Sequence, residues 1–396
     1  MAIAAVPDYL GNDFSTASPG LRFGMYFQGW TDDWKKQIPD QKKNESPPVK
    51  SACKLNPNDK DSMVSLLKRQ QANFKAVSGS SNGLQLEAIS TSPFATGLGN
   101  EHPTENGFAF LNPYGLPYLP GSGVKGVLRQ AARELASGEW GESNWTDKEA
   151  YITALFGPEP GADDLTRGAL TFWDVIPQIK GDHLAVEIMT PHQKHYYQEG
   201  QSPHDSGQPI PITFLTVPPG SGFTFHVQCN LALLQHSAEE PAQDEQWQAL
   251  LQAAFEHAFA WLGFGAKTAV GYGAMEKDRA KQAAREEELR QQQEAERKAR
   301  EQAERQQAIA TMNPVEKAIA EHLDARVDKN QPEINALLAG LKGGVWSGEL
   351  VPGIAKILMD KMQAEKKWRE TSAKKNPDKD KDYVNTQLVM KYLPSE

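Results

Sequence analysis

Cysteine is almost absent from this sequence, whose 396 residues contain only Cys53 and Cys229. Two cysteines so far apart do not form the pattern of a disulfide framework or of a Cys-rich zinc site. The sequence also lacks the run of about 18 apolar residues that a membrane span requires. Residues 1–6 carry no basic residue and are too short for the apolar core of a signal peptide. We therefore expect a cytoplasmic protein with reduced cysteines.

An excess of positive charge is missing as well, since 42 Lys and Arg are set against 51 Asp and Glu for a formal charge of −9. Nonspecific nucleic-acid binding depends on clustered Lys and Arg that neutralise phosphates. Any nucleic-acid site in this chain must therefore be local. The mean hydropathy of −0.59 and the apolar content of 39% predict a folded core joined to extensive water-facing segments.

Periodic apolar residues are concentrated in the middle of the sequence. They predict strands at residues 84–90, 169–176, 184–189, 210–217, 223–231 and 268–275, and amphipathic helices at 122–137 and 245–262. Ser122 is the expected N-cap of the first helix. The alternation within 223–231 predicts one buried side and one side facing water. In chain order the elements form an α+β, ferredoxin-like pattern with an inserted hairpin.

The segments on either side of this core have different compositions. Residues 1–80 combine aromatic residues, a polar loop and a helix predicted over 62–77. Residues 276–311 hold many charges and almost no large apolar side chain, which predicts a solvated spacer helix of about 50 Å. Residues 312–396 regain apolar periodicity and predict a small helical appendage. The domains are thus expected to be 1–80, 81–275, 276–311 and 312–396.

A glycine-rich turn leads directly into the first amphipathic helix. The exposed amides near Gly121 and Ser122, together with the helix dipole, favour a phosphate. Lys125, Arg129 and Arg133 follow at i, i+4 and i+8, so these cations are predicted to share one solvated helix face. The pattern indicates a site for an RNA backbone, and the ordinary surface charge of a soluble helix is the alternative.

A second glycine-rich segment lies between the last helix and the last strand. Its candidate RNA-binding residues are Gly263, Gly265, Lys267, Thr268, Gly271 and Gly273. A phosphate loop of the NTPase kind needs a strand before it, a helix after it and G-x-x-x-x-G-K-[ST] spacing; here the element order is reversed and the spacing fails. A sugar-phosphate backbone fits better. A tight turn explains two of these glycines but not readily four.

The Pro-Gly-Ser-x-x-Lys-Gly-x-x-Arg turn at residues 120–129, paired with the terminal glycine-rich loop, resembles the RAMP superfamily. Motifs at 96–108, 172–175, 188–192 and 209–212 are similar to the sixth-subunit family of the Cmr complex, the type III-B CRISPR effector. The resemblance covers about residues 84–275.

The resemblance implies a non-catalytic subunit that binds guide RNA near its 3′ side and caps one end of the protein backbone. The implied partners are guide RNA, target RNA, the backbone RAMP subunits and the small helical subunit of an antiviral complex. No cofactor, metal or membrane partner is expected.

Three histidines, His192, His195 and His204, lie in a loop rich in Tyr, Pro and Gln. They could bind a metal or act as acid-base groups, but their spacing matches no standard zinc pattern. Stacking on bases or hydrogen bonding to phosphates is preferred, so His192 and His195 join the candidate RNA-binding residues.

Two other functions stay open. An endoribonuclease of the same superfamily would use a histidine as general base, and His102 or His195 could serve. A scaffold that contacts only proteins would fit the charged helix. It would leave the basic helix face and the glycine-rich loop without a role.

Overall fold

The computed structural model describes residues 3–36, 47–79, 81–159, 161, 166–190, 196, 200, 202, 211–243, 246–326 and 328–394. The chain divides into two compact units, Met1–Arg285 and Glu286–Glu396. None of the helices in the described ranges is long and apolar enough to cross a membrane. The predictions for His192, His195 and His204 lie outside the described residues.

The strands all lie in the first unit. In chain order they are β1 Gly83–Ser90, β2 Phe110–Leu111, β3 Leu116–Pro117, β4 Leu170–Phe172, β5 Ala185–Met189, β6 Ile212–Thr216, β7 Gly222–Cys229 and β8 Met275–Lys277. An antiparallel sheet has the order β4-β7-β1-β8. β2 pairs with β3, and β5 pairs with β6. The molecule therefore has the mixed α+β character that the sequence predicts.

Helices flank this sheet along the chain. Those that begin in the first unit are α1 Pro19–Phe23, α2 Pro47–Cys53, α3 Pro57–Val77, α4 Gly121–Ala136, α5 Glu149–Phe156, α6 Leu231–Ser237, α7 Glu239–Ala242, α8 Gln246–His257 and α9 Arg279–Thr311. A π-helical turn, Ala258–Leu262, extends α8. The second unit adds α10 Pro314–Ala325, α11 Glu333–Lys342, α12 Leu350–Ala364 and α13 Lys381–Met390.

One face of the sheet packs against α4 and α8. Val124 and Leu128 of α4 are buried, as are Leu251 and Phe255 of α8. The ring of Phe225 in β7 lies 5.2 Å from that of Phe255. The buried faces predicted from the apolar spacing of both helices are confirmed, because each helix needs a neighbouring surface on which to bury its apolar stripe.

The second face of the sheet is buried too, although the alternation in β7 predicted that it faces water. Thr224 and His226 are only 8% and 3% exposed. Phe74 of α3 lies against His226, with ring centroids 4.7 Å apart. The side chain of Gln282 in α9 accepts a hydrogen bond from the Glu87 amide at 3.2 Å. The prediction is wrong because helices from outside the predicted core cover this face.

Among the element boundaries that differ from the predictions are those of α3 and of the last strand. α3 begins about a turn earlier than expected because Asn56 and Asp59 form a capping box before it. The last strand was expected around residues 268–275. Instead Thr268–Val270 forms a 3-10 turn, and β8 starts at Met275.

The second unit is helical and has its own core. Along the part of α9 that lies in this unit, Lys298 pairs with Glu294 at 2.7 Å and Arg300 with Glu304 at 2.9 Å. The helices after it enclose buried apolar residues, namely Ile319, Ile334, Leu337, Leu338, Leu341, Ile354, Ala355, Leu358, Met362 and Val389. The helical character predicted for both segments is confirmed, while their roles stay predictions.

Candidate nucleic-acid interface

Lys125 of α4 lies in a cluster of positive charge. Its side chain is partly buried, and burial lowers its pKa. The charges of Arg129 and Arg167 lower that pKa further. Of the acidic side chains that the structure describes, none pairs with Lys125. A cation held under these conditions is well suited to receive an anionic ligand, since an anion offsets both effects.

Arg129 and Arg133 share an acidic partner, so two of the three cations predicted on one solvated face are paired within the protein. Arg129 Nη2 lies 3.3 Å from the Glu159 carboxylate, and the Arg129 side chain is 14% exposed. The same nitrogen donates to the Gly157 carbonyl at 2.6 Å. Arg133 pairs with the same carboxylate and is 40% exposed. The loop after α5 folds back on α4 and neutralises part of its charge.

The amino terminus of α4 already holds a carboxylate. The Gly121 amide donates to Asp174 Oδ1 at 2.7 Å. Pro120 is the N-cap residue, so the prediction of Ser122 as N-cap is wrong. Asp174 occupies the position where a phosphate was expected to interact with the helix dipole. The Gly121 amide is therefore engaged, and Ser122 is the first exposed residue at this end.

The glycine-rich loop at residues 263–273 packs against the segment that follows β1. The Ala266 amide donates to the Ala95 carbonyl at 2.7 Å, and the Gly273 amide donates to the Pro93 carbonyl at 2.8 Å. The Phe264 amide donates to the Gly273 carbonyl at 2.9 Å and closes the loop on itself. The loop is thus fixed at the end of the sheet where β1 ends and β8 begins.

Backbone conformation accounts for all four glycines of this loop, rather than for two. The φ angles are +69° at Gly263, +92° at Gly265, +93° at Gly271 and +70° at Gly273, a region that L side chains rarely adopt. A Cβ at Gly265 would collide with the Ala95 carbonyl, and one at Gly273 with the Phe264 carbonyl. Only Gly271 has open space around it. The glycine content therefore reflects how the loop folds and does not by itself indicate a ligand.

Lys267 is the cation of this loop. Its φ is +61°. Its ammonium group lies 5.7 Å from the ring centroid of Phe214 in β6, a cation–π contact. Lys267 and Thr268 are partly exposed. Lys267 thus lies beside the β5–β6 hairpin, whereas Lys125 lies beside Arg129 and Arg167. The structure places the two predicted motifs against different neighbours.

Residues 88–276 match the RAMP superfamily. We call these residues, which make up just under half of the chain, the RAMP domain after this match. A curated relative, the CRISPR system Cmr subunit Cmr6 of Pyrococcus furiosus, is 29% identical to this chain over 233 residues. The match covers 46% of this chain and 65% of the relative, so this chain spans just under two thirds of the length of that relative. The resemblance that the turn and the glycine-rich loop predicted is confirmed.

Solved structures provide more distant similarities. A chain in the cryo-EM structure of the Type III-B Cmr-beta bound to cognate target RNA has a TM-score of 0.42 and 19% identity, covering 61% of this chain and 78% of that one. The crystal structure of Cmr6 from Pyrococcus furiosus has a TM-score of 0.28 and 25% identity, covering 49% and 97%. At these TM-scores the RAMP assignment rests on the sequence match.

His102 of the RAMP domain, the candidate general base, is held by other contacts. Its ring stacks on Phe23 with centroids 3.9 Å apart. Its Nε2 lies 2.7 Å from the Phe23 carbonyl, and its Nδ1 lies 2.7 Å from Thr104 Oγ1. Burial lowers its pKa, and the hydrogen bond to Phe23 opposes that effect. Because a carbonyl can only accept, Nε2 carries the proton and Nδ1 accepts from Thr104, which leaves His102 poorly placed to receive a proton from RNA.

Arg167 and Glu159 are the residues of the RAMP domain that sequence reasoning missed. Arg167 donates to Thr171 Oγ1 of β4 at 2.7 Å, and its charge acts on Lys125. Both residues lie in the connection between α5 and β4, which has no apolar periodicity. No spacing rule connects them with α4, because the contacts depend on how that connection folds.

Proposed function

We propose that this chain is a subunit of a type III-B CRISPR effector complex and that its RAMP domain binds guide RNA without cleaving it. The similarity to Cmr6 supports membership of the complex. The observation that carries RNA binding is the cluster of Lys125, Arg129 and Arg167 in a chain whose formal charge is −9. Glu159 offsets only the Arg129 part of this charge, and Lys125 has no acidic partner among the described side chains. A phosphate at Lys125 would offset the remainder.

The proposed partners are guide RNA, target RNA, the backbone RAMP subunits and the small helical subunit, assembled in the cytoplasm. We assign the RAMP domain a ferredoxin-like topology. The strand order β4-β7-β1-β8, with α4 following β1 and α8 following β7, supports this assignment. β5 and β6 would then be the inserted hairpin.

The proposed RNA-binding residues fall into groups with different roles. Ser122, Lys125, Lys267, Thr268 and Gly271 contact the RNA backbone. Gly121, Gly263, Gly265 and Gly273 shape the turns that carry these residues. Arg129 and Arg133 reach RNA only if they exchange the Glu159 carboxylate for a phosphate. His192 and His195 complete the set, outside the described residues.

Lys125→Glu is the direct test of this site. We expect the affinity of the full chain for single-stranded guide RNA to fall about tenfold, because one phosphate contact becomes a repulsion. If about three phosphates are neutralised in the native protein, the slope of log affinity against log salt concentration should be about −2. In the variant this slope should become shallower by about 0.7. Fluorescence anisotropy across a salt series measures both quantities.

The matched control for Lys125→Glu is Lys356→Glu, at an exposed position on α12 in the second unit. It makes the same change in net charge, so it should leave affinity and salt slope close to wild type. A folded Lys125→Glu protein with native affinity and native salt slope would contradict the proposed site.

Glu159→Gln tests whether the two arginines take part. Removing the carboxylate that pairs with Arg129 and Arg133 should raise RNA affinity and steepen the salt slope by up to about 1.4, since each freed cation adds about 0.7. The same anisotropy series measures the change. An unchanged slope would assign Arg129 and Arg133 to holding the loop after α5, and would leave Lys125 as the α4 cation that binds RNA.

A further inference from the structure

Two tryptophans form an exposed aromatic surface that the proposed RNA site does not use. Trp140, which follows α4, is 46% exposed, and Trp261, in the π-helical turn after α8, is 67% exposed. Their ring centroids lie 5.2 Å apart. We call this surface the Trp140–Trp261 patch. Exposed indoles in mutual contact indicate a binding surface, because tryptophan is normally well buried and is enriched where partner proteins dock.

A buried histidine packs against the Trp140–Trp261 patch. The ring of Trp140 meets that of His257 at 4.9 Å in an edge-on arrangement. His257 Nε2 lies 2.6 Å from the Glu134 carboxylate of α4, and the His257 side chain is 5% exposed. The patch is thus anchored to both α4 and α8. Rigid aromatic groups lose little conformational freedom when a partner binds, which favours affinity.

Exposed carboxylates lie close in sequence to both tryptophans of the patch. Glu139 directly precedes Trp140, Glu142 follows it by two positions, and Glu256 lies one turn before Trp261; all three are exposed. Arg133, the nearest cation on α4 in sequence, pairs with Glu159 instead. The faces of indole rings and nearby carboxylates attract guanidinium and ammonium groups. The same carboxylates repel phosphate, so the chemistry favours a basic protein segment over RNA.

We infer that the Trp140–Trp261 patch docks a basic segment of a partner protein. An Arg or Lys side chain of that segment lies against the indole rings, and its other basic residues pair with the three exposed glutamates. On α4, Glu134 lies about 180° around the helix from Lys125 at about 100° per residue. The patch and the Lys125 cluster therefore lie on opposite flanks of α4. The inference does not depend on RNA binding.

The test places a photo-crosslinking amino acid, p-benzoylphenylalanine, at position 261 of the full chain in its native cell. The matched control places it at position 34, where an exposed tryptophan, Trp34, lies in the same unit and is 61% exposed. We expect position 261 to crosslink above the control, and the crosslinked peptide to carry Arg or Lys beside the attachment point. Crosslinked RNA, a peptide without basic residues, or a yield no higher than at position 34 would overturn the inference.

A second variant keeps Trp140 and the crosslinker at position 261 and changes only charge. The combined Glu139→Gln, Glu142→Gln and Glu256→Gln substitutions lie at exposed positions and should preserve the fold. We expect the crosslink yield to fall at least about fivefold, because three rim ion pairs are lost. An undiminished yield would overturn the proposed partner chemistry.

Affinity for the crosslinked peptide, once synthesised, gives the final measurement. Trp140→Ala with Trp261→Ala should weaken binding about 30-fold, as truncation of central interface tryptophans does. Native affinity in a folded double variant would contradict the docking surface. Lys125→Glu should leave this affinity unchanged while it reduces RNA binding, so failure of one proposal can be told from failure of the other.

Discussion

Gly273→Ala is expected to destabilise the RAMP domain by more than about 3 kcal/mol, whereas Gly271→Ala should cost about 1 kcal/mol. Both glycines have positive φ, +70° and +93°, so the conformational cost is shared. Only Gly273 lacks space. A Cβ there would collide with the Phe264 carbonyl, whereas at Gly271 no atom lies within 4 Å. Because the clash involves backbone, the loop has to shift to accommodate alanine.

Urea unfolding of the two variants measures the difference. Failure of Gly273→Ala to fold is the extreme form of the expected result, and equal destabilisation by the two variants would contradict it. Gly271→Ala has a further use, because it should fold. A drop in RNA affinity in that variant would reflect the surface of the loop, rather than a loss of its structure.

His226→Phe is expected to stabilise the first unit and to remove part of its sensitivity to acid. The imidazole is 3% exposed, and in the described part of the chain neither ring nitrogen has a hydrogen-bond partner. Phe74 and Trp173 lie around it, with ring centroids at 4.7 and 5.9 Å. A phenyl ring suits these neighbours and leaves no nitrogen unsatisfied, so about 1–3 kcal/mol should be gained at pH 7.

The acid sensitivity follows from the pKa of His226. Burial lowers it to about 3, and the charge of Arg285 adds to this effect. In the unfolded chain the pKa of this histidine is about 6.5. Above that pH both states are neutral, and protonation of His226 does not contribute to stability. Below it the unfolded state binds a proton that the folded state does not, so His226 should cost about 2 kcal/mol of folding free energy by pH 5.

Unfolding in urea at pH 7 and pH 5 measures both effects. The advantage of His226→Phe over wild type should grow by about 2 kcal/mol between the two pH values. The control is His236→Phe, at an exposed position on α6, which should follow the wild type at both. Identical pH dependence of stability in wild type and His226→Phe would contradict this, because it would mean that His226 binds a proton as readily in the folded protein as in the unfolded chain.

The features that sequence predicted well depend on short-range order. The apolar faces of α4 and α8 could be read from residues such as Val124, Leu128 and Leu251, because helical periodicity places neighbours at known spacing. The RAMP resemblance could be recognised because its turn and loop are short contiguous motifs.

The features that sequence missed depend on contacts between distant residues. Glu159 reaches Arg129 and Arg133 only because the loop after α5 folds back on α4. The spacing of residues along α4 gives no information about where that loop lies. Asp174 was recognised as part of a motif, but its bond to the Gly121 amide depends on the position of β4. Glycines pose a separate difficulty, since the same residue type serves ligand approach and positive φ.

Because helices cover the second face of the sheet, the boundaries chosen for a shorter fragment of this protein matter. The residues that match the RAMP superfamily, 88–276, exclude both α3 and Gln282, which lie over His226 and Glu87. A fragment trimmed to the matched region would expose His226 and Thr224 to solvent and would lose more than half of β1, which begins at Gly83. The segment that matches the RAMP superfamily is therefore smaller than the segment that keeps both faces of the sheet covered.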